Sequence, residues 1–291
     1  MEPALTVGLD GSPESHAAAH WAADEAERRR LTLRLLHAWP LLVPEPTNVR
    51  SEIDQNYWAK KLVHNAQAEL QAGHPGLTVV GNLVADDAQN ALLQAASESE
   101  MLVLGSRGLT PWESYFLGDI SMPVVARSER PVVLVRARQP EEPGRPAPTA
   151  AGGVVVALKL HGPCEDLLEF AFATAAARGV PLRAVHGRGV PLHAYAPWGS
   201  DHGVTQEIAH DVQKGLDQVL RPWREKFPGV VVTDVPRLES PAKAVVRAAE
   251  DADLLVVGRR RHPAGAGPRL GPVAQAAAHH ARCPVAVVPH D

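Results

Sequence analysis

Short apolar runs alternate along the chain with longer stretches in which apolar residues recur every three or four positions. That alternation is the signature of a parallel sheet covered by helices. In the first half, ALTVGL (4–9), LTLRLLHAW (31–39), LTVVGNLV (77–84), EMLVLGS (100–106) and RPVVLVRA (130–137) read as strands. Their near-continuous Val and Leu content is what burial on both faces demands. Helices are expected in the gaps: one continuing over 17–30, the others over about 52–72, 87–98 and about 117–127. Ser12 and Pro13 open the first helix, Ser as the residue that accepts from exposed amides and Pro as the residue with no N–H to leave unpaired. A Pro-rich loop, 40–47, separates the second strand from the second helix.

The second half repeats the first. GGVVVAL (152–158) matches 3–9 and VPLRAVHG (180–187) matches 31–38, both at an offset of 149. DLLVVGR (253–259) matches 100–106 and CPVAVV (283–288) matches 130–135, both at an offset of 153. The drift of four residues falls in the loop and helix between, where insertions are tolerated. The loop at 188–203, with Pro191, Tyr195, Pro197 and Trp198, takes the place of the loop at 40–47. Residues 138–151, ARQPEEPGRPAPTA, are Pro-rich and charged without period, as in a stiff linker. The reading is therefore α/β: two tandem doubly wound domains over 1–138 and 152–291, joined by a linker over 139–151.

Composition narrows the function classes. Hydrophobic residues make up 45% and charged residues 21% of 291, which favours packed cores over disorder. The net charge of −4 is spread over a slightly acidic first half and a near-neutral second, so nucleic acid is not the expected partner. No apolar run approaches a membrane span, and the opening MEPALTVGLDGS lacks the basic start and long apolar core of a secretory signal. A soluble cytoplasmic protein without membrane contact is the expectation. Cys164 and Cys283 form no Cys-x-x-Cys motif, and the 14 histidines show no metal-ligand spacing, His279-His280 included. No metal site is expected. Cys283 reads as a small buried residue, whereas Cys164 opens a helix, where a thiolate is favoured. No nucleophile-base arrangement or Walker motif appears, so no catalytic residue is named.

The chemistry lies in GSRGLTPWESYFLGDIS, 105–121, between a strand and a helix. Its glycines are spaced Gly105-x2-Gly108-x9-Gly118. A strand ending in glycine lets the backbone turn sharply and lets a ligand approach with no Cβ in the way. A helix starting near Gly118 presents unpaired amides and the positive end of its dipole, which suits an anion. Arg107 can reach a phosphate. At the end of the first strand, Asp10 can accept from a ribose or a base amine, or serve only as a turn residue in Asp-Gly-Ser-Pro.

VGLDGS, the HAW that ends strand two, and GSRG-x9-GDIS together resemble the universal stress protein family, and the likeness extends over both halves. The resemblance implies five-stranded parallel sheets of order 3-2-1-4-5, with ATP bound by a subset of members. It implies that Leu9, Asp10 and Ala38 lie near the adenosine. Gly105, Arg107 and Gly108 would then form the phosphate and ribose loop, and Gly118, Asp119, Ile120 and Ser121 the helix start that holds the phosphates. It also implies pairing through the terminal strands, here 130–137 and 283–289 within one chain as a pseudo-dimer, or between two chains as a homodimer.

Asp119 departs from the family, whose ATP-binding members carry Ser or Thr there. A hydroxyl donates to phosphate; a carboxylate repels it, by about 1 kcal/mol at about 4 Å in water. Asp is also a preferred N-cap and competes for the helix amides, although a magnesium ion bridging it to phosphate reverses the sign. The second half departs further. Gly258-Arg259-Arg260-Arg261, nine residues, then Gly271-Pro272 keeps the spacing but replaces the second glycine by Arg261, and Lys159 replaces Asp10. The run from Arg259 to His262 suits an anion or a phosphorylated partner, or is a solvated loop. Two functions are expected from this. One is a stress-response protein whose first domain binds ATP or a related adenine nucleotide, with slow hydrolysis at most. The other is a ligand-free structural or regulatory module acting on a protein partner.

Overall fold

The structure is a computed structural model that describes residues 3–39, 49–106, 120–137, 152–189, 195–196, 199–200, 202–261 and 270–291. The chain divides into two compact units, Met1–Glu141 and Glu142–Asp291. The expected linker lies outside the described residues.

The first unit runs β1 (Ala4–Gly8), α1 (Pro13–Arg29), β2 (Thr32–Trp39), α2 (Val49–Gly73), β3 (Val79–Ala85), α3 (Ala88–Ser97), β4 (Met101–Gly105), α4 (Ser121–Arg127) and β5 (Val132–Val135). Its strands are all parallel in the order β3-β2-β1-β4-β5. The second unit runs β6 (Val154–Ala157), α5 (Glu165–Arg178), β7 (Leu182–Gly187), β8 (Tyr195–Ala196), β9 (Gly199–Ser200), α6 (His202–Lys226), β10 (Val232–Arg237), α7 (Pro241–Ala248), β11 (Leu254–Arg260), α8 (Pro272–His280) and β12 (Val285–His290). Its parallel sheet has the order β10-β7-β6-β11-β12. Both sheets follow the expected 3-2-1-4-5 order. In such a sheet the chain leaves the first strand in one direction and the fourth in the other, opening a crevice beyond their carboxyl ends.

Local chemistry explains the elements. The Ser12 side chain caps α1 by accepting from Ser15 N, with Pro13 in the first turn. Central strands are buried end to end: Leu5, Leu33, Leu35 and Leu102 are fully enclosed. The one buried hydroxyl pair in β1's neighbourhood satisfies itself, Thr6 Oγ1 to Ser99 Oγ at 2.6 Å, with Ser99 donating to Ala95 O at 2.7 Å. In the second unit Phe172 of α5 packs against Trp223 and Phe227 of α6, ring centres 5.9 and 5.5 Å apart.

Some details differ from the expectation. The last helix of the first unit starts at Ser121, not near 117, with 107–119 outside the described residues. The two-residue antiparallel pair β8-β9 is too short to leave a periodic signal. β10 is an edge strand that carries Pro236, tolerated because an edge strand leaves one row of amides unpaired. Among the described residues no helix is long and apolar enough to cross a membrane.

Candidate nucleotide crevice

Beyond Gly8 the β1 ladder continues one residue, Leu9 N donating to Leu36 O at 2.8 Å, and Leu9 is buried. The chain then turns. Asp10 Oδ1 accepts from Ser12 N at 2.9 Å and from Ser12 Oγ at 2.5 Å, and Gly11 takes φ 82°. Asp10 is thus at the strand end and a turn residue at once. Asp10 N meets Ser15 Oγ at 3.4 Å, which ties the turn to the first turn of α1. Ala38 sits on β2 opposite Val84 of β3.

Sequence reasoning missed His37. Its Nδ1 donates to Leu9 O at 2.8 Å, fixing the carbonyl immediately before Asp10. The same bond recurs in the second unit, His186 Nδ1 to Leu158 O at 2.9 Å. The signal was available: both histidines stand 28 residues after the carbonyl they hold.

Continuing the β1–β4 register brings Leu9 level with Gly105 and Asp10 level with Ser106. Gly105 has a reason to be glycine other than the ligand approach expected. A Cβ there would stand 2.6 Å from Glu14 C and 2.7 Å from Ser15 N. The missing side chain lets α1 seat its first turn on the end of β4, which draws the Asp10 turn beside Gly105. Ser106 N donates to Val135 O at 2.8 Å, but its side chain, 4% exposed, has a hydroxyl with no hydrogen-bond partner among the described residues. A buried hydroxyl left unpaired costs about 1–3 kcal/mol.

Ile120 is the N-cap of α4 with φ −100° and ψ −42°, and no side chain among the described residues caps the helix. Ser121 follows as its first residue, half-buried. Arg107, Gly108, Gly118 and Asp119 lie outside the described residues. The described part of the site therefore brings Leu9, Asp10, Gly105 and Ser106 together at one sheet edge, with Ala38 on the adjoining strand. Among the described residues no three side chains could jointly hold a metal ion.

The second unit fills the corresponding places with other chemistry. Gly258 stands for Gly105, and its bare Cα makes room for His290, whose Nε2 would lie 2.5 Å from a Cβ. Arg259 stands for Ser106 and is buried. Arg261 stands for Gly108 and is held by Asp166 at 2.7 Å and Asp291 at 3.3 Å, bonds that raise its pKa further above its ordinary value. α8 is capped by the backbone of Gly271 alone, with Pro272 in the first turn.

Cys164, the N-cap of α5, overturns the expected thiolate preference at a helix start. Burial pushes its thiol up and the Glu165 carboxylate adds to the effect. Cys283 is buried ahead of β12, as expected of a small apolar residue. A groove of about 620 Å³ lined by Gly179, Pro181, Phe227 and Val231 opens at the amino ends of β7 and β10, away from the crevice.

The model of the universal stress protein family matches residues 4–136 and again 153–289. Universal stress protein Rv2623 of Mycobacterium tuberculosis (strain ATCC 25618 / H37Rv) is 33% identical, the alignment covering 97% of this chain and 95% of that protein. Universal stress protein Mb2028c of Mycobacterium bovis (strain ATCC BAA-935 / AF2122/97) is 32% identical, with coverage of 97% and 96%. Among solved structures, a universal stress protein from Archaeoglobus fulgidus DSM 4304 superposes with a TM-score of 0.72 at 18% identity, covering 99% of this chain and 98% of that one, a likeness of fold.

Proposed function

The chain belongs to the universal stress protein family, with two family domains in tandem, and on that premise we propose that its first domain binds ATP or a related adenine nucleotide and that the protein is a nucleotide-responsive regulator in stress adaptation. The observation that carries the reading is the Ser106 hydroxyl, buried with no hydrogen-bond partner among the described residues, one residue beyond Gly105 at the strand end. A phosphate oxygen would accept from it and remove the cost of its burial. Ser121, the first residue of α4, supplies a second hydroxyl to the phosphates. Leu9 gives the adenosine an apolar wall, and Asp10 accepts from the ribose while its turn with Ser12 holds it in place. Magnesium would be held by Asp119 together with the phosphates.

Calorimetry of the full chain with ATP and magnesium tests this. Binding should be measurable at millimolar ATP and be lost in Gly108→Trp. Asp119→Ser should strengthen magnesium-free binding about fivefold, the equivalent of about 1 kcal/mol of relieved repulsion. No heat and no thermal shift with ATP would overturn the proposal.

A second reading, a module that acts through protein contacts, has one observation in its favour. Tyr57 and Trp58 on α2 are 59% and 61% exposed, and large aromatic side chains left in water mark contact surfaces. Failure to bind ATP, with loss of a captured partner in Trp58→Ala, would favour it.

A further inference from the structure

The carboxyl edge of the second unit carries a row of cations that nucleotide binding by the first domain does not use. β10 ends in Arg237, β7 is followed by Arg188, β6 by Leu158 and Lys159, and β11 ends in Arg260. These strands are adjacent in the order β10-β7-β6-β11, so each of four neighbours delivers one positive charge to the same edge. The ladder runs to these positions, Arg188 N donating to Arg237 O and Leu158 N to Val185 O, both at 2.9 Å. With strands about 4.8 Å apart the row spans about 14 Å.

All four side chains are exposed, and none has an acidic partner among the described residues. The carboxylates in the vicinity are committed elsewhere. Asp166 and Asp291 hold Arg261, Glu239 meets Arg247 at 3.3 Å, and Glu165 accepts from Cys164 N at 3.0 Å. Arg260 Nη2 lies 3.2 Å from where a Cβ on Gly162 would stand, so the guanidinium reaches back to the turn that follows Lys159.

The groups expected to recognise a nucleoside are missing from this edge. Lys159 stands where the first domain has Asp10. Gly187 stands where it has Ala38 and is closed against α7, a Cβ there lying 2.7 Å from Pro241 Cα. What remains is chemistry for anions at high charge density. Arginine forks pair with phosphate oxygens two at a time, and lysine adds a point charge.

We propose that the second domain binds a short oligophosphate without a nucleoside, along Lys159, Arg188, Arg237 and Arg260. Four cations gathered at one sheet edge repel one another, and linked phosphates relieve that repulsion.

The probe is inorganic tripolyphosphate, titrated calorimetrically into the full chain at about 50 mM and again at about 200 mM salt, since binding through exposed charges weakens as salt screens them. The titration is repeated with Lys159→Glu/Arg260→Glu and with Arg188→Glu/Arg237→Glu, each checked for an unchanged circular dichroism spectrum, and with Gly108→Trp. Binding should weaken with salt, fall about tenfold or more in either charge-reversal pair, and persist in Gly108→Trp. Should one pair fail to fold, the other decides. No heat at millimolar tripolyphosphate, or loss in Gly108→Trp but not in the reversal pairs, overturns the proposal. A short polyglutamate peptide that binds as tightly as tripolyphosphate overturns the assignment to phosphate.

Discussion

Gly105 and Gly258 hold the same place in the two repeats and are glycine for different reasons. At Gly105 an added methyl group meets the backbone of Glu14 and Ser15, which cannot step aside without moving α1. At Gly258 it meets the far end of the His290 side chain, which can swing away. Gly105→Ala should therefore destabilise the first unit by about 1–3 kcal/mol, an overpacking cost. Gly258→Ala should cost the second about 1 kcal/mol or less, the net worth of the His290 hydrogen bond to Pro163 O. Urea unfolding of both variants checks the contrast, and equal losses would contradict it. The sequence announces a glycine at each strand end, but not which neighbour requires it, because that neighbour lies 90 residues earlier in one repeat and 32 residues later in the other. Cys164 teaches the same limit. Position at a helix start is legible in the sequence, whereas burial and a nearby carboxylate, which decide its acidity, are tertiary facts. His37 shows that a residue can stand inside a quoted motif and still go unread, since its carbonyl partner lies across the sheet.

At the scale of elements, the repeats differ in how they leave their first helix. α1 ends at Arg30 with φ 56°, and α5 ends at Gly179 with φ 63°. Both are left-handed caps, but only glycine adopts that conformation without a steric penalty. Arg30 is exposed and holds its place through its backbone N–H, so Arg30→Gly should stabilise the first unit by about 0.5–1 kcal/mol, the strain relieved less the added freedom of the unfolded chain. A rise in the midpoint of thermal unfolding checks it; a fall would mean that the arginine side chain contributes more than its strain costs. The strands were legible because burial on both faces leaves mostly Val, Leu and Ala to read, as in the centre of Met101–Gly105 and throughout Val154–Ala157. β10, with Thr233, Asp234 and Pro236, was not, because an edge strand has a face and a row of amides in water. The start of α4 was misplaced by a few residues: Leu117 and Gly118 continue an apolar rhythm that carries no stop signal.

For the whole molecule, the internal repeat was the most legible feature, whereas the sheet order followed from the family resemblance rather than from the repeat. Each unit encloses its own large side chains, Leu33, Leu70 and Leu102 in the first, Phe172, Leu182 and Leu216 in the second. A fragment of residues 1–141 should therefore give an α/β circular dichroism spectrum and a single sigmoidal thermal transition, whereas a flat melt would show that its core is incomplete. The proposed oligophosphate site was less legible, because its charges are gathered from several strand ends rather than from one motif. The bond from His37 to Leu9 O and its twin from His186 to Leu158 O survive where the surrounding chemistry has diverged. A carbonyl only accepts, so each ring must carry a proton on Nδ1. The two halves thus share an inheritance written in the position of a proton, one that a substitution count over the candidate site residues would overlook.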